Sequence, residues 1–568
     1  MSRFRKKKKR LPHESSGKLE IEMKAADAVI EERKKGPSGN GRTFKNLSGF
    51  EIRSLYGPED VAGFDYKTDL GLPGEFPYVR GVHRSMYRGR PWTIRQLGSL
   101  SSPQKANQRI RQLIAMGATG VSICLDMPTI MGRDSDDPLC RGEVGSCGGV
   151  AIDSMVDVRN ILEGIDLSEI SINFVTNAQS AAVLAMFCAV AEEQGVPLNK
   201  LMGTLQNDIL KEYQAQKSFY FPPRPSMRLI MDTIEFSSQH MPKFNPISIS
   251  GYHLGSAGAT PIQEMAFMLA NGFCYVEEGI KRGMPVDSIA PRLSFFFKVH
   301  NDFFENIAKF RAARGIWAKT MREKYGAKDP RSWMFRLHTQ TSGSSLTAQQ
   351  PENNIIRTTI QALAAVIAGT QSLHTNAFDE AFSIPSERSE KLALRTQQII
   401  LHESGLVNTV DPLGGSYYME SLTQQMAFEC YKYFEAIEKL GGVIPAIEKG
   451  FFQKEIADAA YKYQREVDSK KRIIVGVNEY MDDDTYKIEL RAPDPAFESR
   501  KIKELKKLRR QRDKKKATAC IDAVRKAAEG MDNVMPPLIR AAKAHVTLGE
   551  MIGAFRAVFG EYCDMKIY

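Results

Sequence analysis

Nowhere does this 568-residue sequence hold a run approaching the ~18 consecutive apolar residues that a bilayer-crossing helix needs, so no membrane contact is expected. Its basic opening residues lack the apolar stretch of a secretory signal, which makes a reducing cytoplasm the expected location. The 8 cysteines are scattered without any C-x-x-C spacing, which argues against a disulfide framework and against a zinc knuckle. The 9 histidines are spread singly, none paired at i, i+4, so no metal site is expected. No H-E-x-x-H, G-x-S-x-G or G-x-x-x-x-G-K-[ST] segment occurs, which removes the common zinc-protease, α/β-hydrolase and P-loop readings. The net charge of +11 is concentrated at 3–10 and 500–516. Neither cluster has interleaved aromatics or a helix-turn-helix pattern, so they read as solvated or partner-docking tails and no nucleic-acid partner is expected.

What the sequence does hold, 42% hydrophobic against 26% charged residues, is enough for several cores. Length alone fits three or four units of ~150 residues, or one barrel of ~250 residues with appendages. Residues 1–45 read as a basic tail, an amphipathic helix (Leu19, Ile21, Met23, Ala26, Val29, Ile30) and a Gly/Ser/Pro linker at 36–41. Such a helix has no core of its own and packs on another chain or on a distant face. From residue 93 the text changes to short apolar segments at 93–98, 120–126, 170–176, 202–206, 247–251, 290–296, 334–340 and 370–375. Helical stretches such as 180–194, 261–283 and 353–368 lie between them. Repeated β-α units with no G-x-G-x-x-G turn predict an α/β fold of the closed (β/α)8 TIM-barrel type over 46–410. A turn-rich break at 411–416 opens a mostly helical region, 411–568, with an extended piece at 472–478, a charged helix at 500–516 and a terminal helix from Thr547.

In such a barrel the chemistry sits at the C-terminal strand ends, and those ends are unusually polar here. They include Asp126, Asn177, Gln206, Ser250 to His253, Arg292 with Ser294, His338 to Thr341, and His374 to Asn376. Ser122, Ser171, Ser248, Ser250 and Ser294 recur within strands, where barrel interiors usually carry Val, Ile or Leu. Small hydroxyls leave room along the axis for a thin polar ligand. His253, at a strand end beside Tyr252, is the foremost catalytic candidate.

Five segments are specific enough to carry a resemblance: 90–96 (Arg-Pro-Trp-Thr-Ile-Arg-Gln), 206–212 (Gln-Asn-Asp-Ile-Leu-Lys-Glu), 248–253 (Ser-Ile-Ser-Gly-Tyr-His), 290–296 (Ala-Pro-Arg-Leu-Ser-Phe-Phe) and 371–376 (Gln-Ser-Leu-His-Thr-Asn). In order and over about residues 50 to 480 they resemble the acyl-CoA-binding subunit of the methylmalonyl-CoA mutase family. The resemblance implies an isomerase performing an adenosylcobalamin-dependent radical rearrangement of an acyl-CoA carbon skeleton, with the pantetheine arm along the barrel axis. It implies that His253 hydrogen-bonds the thioester carbonyl, that Tyr252 and Gln206 line its pocket, and that Asn376 and Glu380, with Gln340, hold the adenosyl group. His83, Ser85, Arg90, Ser122, Arg292 and Ser294 fall where the family contacts coenzyme A.

Departures from the family pattern bear on the substrate. Gln216 stands where an Arg clamps a substrate carboxylate, Leu97 replaces an aromatic, and Cys124 replaces the Asp that accepts a hydroxyl in 2-hydroxyisobutyryl-CoA mutases. A neutral amide forfeits the charge-assisted pairing with a carboxylate. A thiol is a weak acceptor. The pocket is therefore expected to take a branched acyl chain without a second carboxylate, isobutyryl-CoA/n-butyryl-CoA or pivalyl-CoA/isovaleryl-CoA, with 2-hydroxyisobutyryl-CoA or methylmalonyl-CoA as alternatives. A barrel that binds acyl-CoA without turnover is the reading from another class, and the intact His253, Asn376 and Glu380 set argues against it. Ser256 and Ser344 also depart from the pattern, where an acidic residue and a Trp are usual. The sequence lacks D-x-H-x-x-G, the segment by which a flavodoxin-like domain of this family offers a cobalt-ligating His. The resemblance thus implies a separate small cobalamin-binding subunit, a homodimer of large subunits within a heterotetramer, and possible service by a G-protein chaperone.

Overall fold

The computed structural model describes residues 43–98, 100–146, 148–482 and 494–563. The basic tail, helix and linker expected at the start fall almost wholly outside these residues. All strands of the sheet are parallel: β1 (Thr93–Leu97), β2 (Gly120–Cys124), β3 (Ser171–Val175), β4 (Gly203–Leu205), β5 (Phe244–Asn245), β6 (Ile247–Ser250), β7 (Leu293–Val299), β8 (Leu337–Thr341) and β9 (Ser372–His374). Their order is β5-β4-β3-β2-β1-β9-β8-β7-β6. Only Pro246, which has no ladder N–H to give, separates β5 from β6, so the two are one strand position broken in the middle. The Ser248 amide donates to the Gln206 carbonyl at 2.9 Å and closes the ring. The result is the eight-position TIM-type barrel expected from the sequence.

Three strands begin two or more residues later than expected. Pro291 makes Ala290–Arg292 a single tight turn, so β7 starts at Leu293 rather than 290. A short helix at Pro330–Trp333 delays β8 from 334 to Leu337, and β9 runs from Ser372 instead of 370. Arg292 and Ser294 consequently stand at the N-terminal end of β7, not at the C-terminal end assigned to them above.

Strand side chains alternate between axis and helical shell. Val121, Ile123, Ile172 and Phe174 are fully buried against the shell. Helix Ser180–Glu193 is apolar on nearly every face because it is sandwiched between the barrel and helix Met535–Lys543. Trp317 on helix Phe303–Lys319 is fully buried and packs on Phe295 at 4.8 Å between centroids and on Phe273 at 5.7 Å. Helix Pro261–Lys281 starts with a reciprocal cap: Thr260 Oγ1 accepts from the Gln263 amide at 3.3 Å, and Gln263 Oε1 accepts from the Thr260 amide at 2.9 Å.

Most helices from Tyr417–Lys439 to Leu548–Phe559 share one continuous hydrophobic core with the barrel, while Phe497 packs with Cys140, Val144 and Ala151 in a small separate cluster. They also grip the long loop after β2. Asp134 accepts from Thr547 Oγ1 at 2.6 Å, the Gly549 amide at 2.7 Å and Arg509 Nη2 at 2.5 Å. Lys501 is buried against Asp153 and Asp157. The charged helix expected at 500–516 is two helices, Phe497–Gln511 and Lys514–Glu529, with Asp513 capping the second. The piece expected to be extended at 472–478 forms turns and a single bridge between Val475 and Glu479. No helix among the described residues is long and apolar enough to cross a membrane.

Candidate active site

Inward positions of the strands enclose an axial channel of about 480 Å³, lined by Thr93, Arg95 and Leu97 of β1, Ser122 and Cys124 of β2, and their counterparts around the ring. Serines 122, 171, 248 and 294 line it as expected. Ser250 does not; it is fully buried and bonds His253. Several lining groups are already held: Ser122 Oγ accepts from Asn173 Nδ2 at 3.1 Å, and Ser294 Oγ donates to the Ile247 carbonyl at 2.8 Å. Arg95 crosses the channel floor, donating to the Val121 carbonyl at 2.7 Å and to Ser171 Oγ at 2.8 Å. Burial pushes its guanidinium down to about 10.

Arg90, Lys243 and Arg336 line one end of this channel. Lys243 and Arg336 immediately precede β5 and β8 and Arg90 lies three residues before β1, which in a parallel barrel places them together at the N-terminal end, with Arg292 ahead of β7. Arg336 is pushed down to about 10 by burial and by the Arg292 and Arg331 charges. His83 is lowered by burial and then by Arg336 and Arg90. The end is thus a concentrated positive field suited to a multiply charged anion. Arg336 was not singled out in the sequence because a strand starting at 334 would have put it in mid-strand. Ser85 precedes the turn Met86–Arg88, and neither it nor His83 lines the channel wall.

At the opposite end, β6 runs into the short helix Tyr252–Ser256, which carries Tyr252 and His253 over the axis. Ser250 Oγ lies 2.7 Å from His253 Nδ1, fixing the ring and leaving Nε2 for a ligand. Burial, and secondarily the charge on Lys211, holds the His253 pKa well below its ordinary value, so the ring is neutral. Tyr252 stacks on Phe296 with centroids 4.9 Å apart and accepts from Gln340 Nε2 at 3.1 Å. Gln206 lines the channel nearby. Its Oε1 accepts from Asn177 Nδ2 at 2.9 Å and from Lys211 Nζ at 3.1 Å.

Lys211, fully buried, is a second residue that sequence reasoning missed. Its ammonium pairs with Glu212 Oε1 at 2.7 Å and donates to the Gln216 side-chain oxygen. The adjacent Lys-Glu in a buried turn was the available signal. Gln216 itself is exposed and lines neither this channel nor the mouth cavity, so the structure does not bring it beside Leu97 and Cys124.

Leu97, Cys124 and His374 line both the channel and a second cavity of about 530 Å³ at the C-terminal mouth, so the two spaces meet there. Glu380 lines the mouth cavity. Its carboxyl accepts from the Ala377 amide at 2.7 Å and from Asn376 Nδ2, while Asn376 Oδ1 accepts from Thr341 Oγ1 at 2.8 Å. Burial raises Glu380 to about 7. Ser256 and Ser344, two separate departures in the sequence, face one further cavity of about 290 Å³. Lys298 also lines it and donates to the Gly255 carbonyl, and burial pushes its amine down to about 8. Among the described residues no cluster of His, Cys, Asp or Glu is built to hold a metal ion.

The model of the methylmalonyl-CoA mutase family matches residues 45–561. The chain is 45% identical over 527 residues to the 2-hydroxyisobutanoyl-CoA mutase large subunit of Aquincola tertiaricarbonis, covering 92% of this chain and 93% of that one. It is 44% identical over 521 residues to the methylmalonyl-CoA mutase of Escherichia coli, covering 91% of this chain and 72% of the relative. It is 42% identical over 537 residues to the mitochondrial methylmalonyl-CoA mutase of Homo sapiens, with 94% and 71% covered.

Proposed function

From the premise that the chain belongs to the methylmalonyl-CoA mutase family, we propose that it is the large subunit of an adenosylcobalamin-dependent acyl-CoA mutase acting on a branched acyl group without a second carboxylate. The observation that carries the substrate reading is the closed state of Lys211. It is the cation acting on His253, and Glu212, Gln206 and Gln216 already occupy its ammonium. A carboxylate on the acyl chain would find neutral Leu97 and Cys124 instead of a free cation. Burying it there forfeits a charge-assisted bond.

Coenzyme A fits the channel by charge and by section: the phosphates at the Arg90, Lys243 and Arg336 end, the thin arm past the serines, and the thioester at His253. A neutral His253 offering one N–H to the thioester oxygen stabilises charge there without acting as a nucleophile or an acid. Ser250 sets the ring before substrate arrives. Tyr252, flat against Phe296 and bonded to Gln340, closes the pocket and keeps water from the migrating fragment.

The mouth fits the adenosyl part of the cofactor. Glu380 and Asn376 set a carboxyl and an amide side by side, and Glu380 keeps acceptor capacity that suits a vicinal diol. Held there by Glu380 and Asn376, adenosylcobalamin would supply the radical chemistry of the rearrangement. The cobalt-ligating His is assigned to a small subunit, in keeping with a relative that is itself named a large subunit.

Isobutyryl-CoA/n-butyryl-CoA and pivalyl-CoA/isovaleryl-CoA are the pairs that suit Leu97. The 45% identity to a 2-hydroxyisobutanoyl-CoA mutase favours a second reading, in which the acyl group carries a hydroxyl. Against it stands Cys124, a weak acceptor. Turnover of a panel of acyl-CoA thioesters by the chain with a cobalamin-binding small subunit tests the assignment, and 2-hydroxyisobutyryl-CoA as best substrate overturns it.

A further inference from the structure

Arg95, Ser122, Ser294 and His338 all line the axial channel with hydrogen bonds supplied by the chain itself. His374 is the exception. It ends β9, is only 4% exposed, and faces the axis two residues after Ser372, as strand alternation requires. Neither Nδ1 nor Nε2 makes a hydrogen bond of normal geometry, and the backbone of Arg95, its neighbour on β1, is a polar group beside the ring. Burial pushes the imidazole down to about 4, so at neutral pH it carries one N–H and one lone pair, and no hydrogen bond of normal geometry fills either. A buried donor and acceptor left unfilled are costly, and natural interiors leave few of them.

Position limits what can fill them. His374 stands with Leu97 and Cys124 where the channel opens into the mouth cavity. On the reading above, the acyl group there is hydrocarbon with one carbonyl, and His253 takes that oxygen. The next polar group along the ligand, back toward the positive end, is an amide of the pantetheine arm. We infer that His374 is a positioning residue for substrate, hydrogen-bonding the amide of the coenzyme A arm nearest the thioester and so fixing how far the acyl group reaches into the mouth. This rests on the axial-arm reading of the channel.

Calorimetric titration of the full chain, without cobalamin, tests it with two ligands: isobutyryl-CoA, and an analogue in which that amide is replaced by an ethylene unit. His374→Phe should bind isobutyryl-CoA about tenfold more weakly than wild type. His374→Gln, which keeps a donor and an acceptor, should stay within about threefold. The ethylene analogue should bind wild type and His374→Phe equally. The proposal is overturned if His374→Phe binds isobutyryl-CoA as wild type does, or if it weakens both ligands alike, which is a packing role. It is equally overturned if His374→Phe loses 2-hydroxyisobutyryl-CoA alone, because the contact then belongs to the acyl hydroxyl. If His374→Phe does not fold, ring-15N-labelled wild type decides. The His374 nitrogen signals should move on adding isobutyryl-CoA and not on adding the analogue, and no movement refutes the contact. Failure of wild type to bind any coenzyme A thioester would instead refute the axial-arm reading.

Discussion

His253 offers the sharpest perturbation of the chemistry, because its role rests on a neutral ring held in place from behind. Replacing it with Ala removes one oriented donor from the thioester oxygen. In a buried, water-poor site such a donor accounts for about 2.7–4 kcal/mol of barrier, so kcat should fall by roughly 100- to 1,000-fold. KM should change little, since the coenzyme A arm and the positive channel end are untouched. Ser250→Ala keeps the imidazole but loses the 2.7 Å contact to Nδ1, and should cost kcat about tenfold or less. The ring pKa is held well below its ordinary value by burial and then by Lys211, so His253 is neutral throughout the working range. Turnover should accordingly show no His253 titration limb near pH 6.5. Steady-state kinetics from pH 5.5 to 8.5 on wild type, His253→Ala and Ser250→Ala read all three effects. A limb near pH 6.5 in wild type that disappears in His253→Ala would refute the neutral-donor argument, as would near-normal turnover of His253→Ala.

Further outcomes follow from the same geometry. Glu212→Gln leaves the fully buried Lys211 charge without its carboxylate, and should destabilise the protein by about 3–5 kcal/mol in urea unfolding. The paired change Lys211→Met with Glu212→Leu should recover part of that loss, and a double variant worse than the single would contradict the charge argument. Glu380 has a folded pKa raised from 4.5 to about 7, so the folded state keeps a proton that the unfolded chain has lost, and stability falls as pH rises between those values. Glu380→Gln should therefore raise the melting temperature of the cofactor-free chain at pH 8 and not at pH 4; an equal shift at both would place its cause outside the titration. Leu97→Phe should narrow the junction of channel and mouth and shift preference from pivalyl-CoA toward isobutyryl-CoA by roughly 10- to 200-fold in kcat/KM, and an unchanged ratio would remove Leu97 from the acyl pocket.

The barrel was legible because two local signals agree along its strands. Outward positions such as Val121, Ile123 and Phe174 are apolar, and inward ones such as Ser122, Ser171 and Ser248 are small and polar. Prolines blurred the boundaries: Pro246 splits one strand position and Pro291 delays β7, which moved Arg292 and Ser294 to the other end of the axis. His253, Tyr252, Gln206, Leu97 and Cys124 converge because they fall at or just beyond strand ends, which sequence order reveals. Gln216 does not line the channel with Leu97 and Cys124, because its side-chain oxygen is taken by the buried Lys211 instead. Lys211 reaching back to Gln206, and Asp134 gripping Arg509 across the chain, depend on tertiary distance that no local spacing encodes.

The most direct test of the central claim is a competition for turnover. The chain, a cobalamin-binding small subunit and adenosylcobalamin are given isobutyryl-CoA, pivalyl-CoA, 2-hydroxyisobutyryl-CoA and methylmalonyl-CoA, and kcat/KM is measured for each. The closed Lys211, Leu97 and Cys124 predict that an unfunctionalised branched acyl group has the highest value and methylmalonyl-CoA the lowest. Methylmalonyl-CoA as the best substrate would contradict the account.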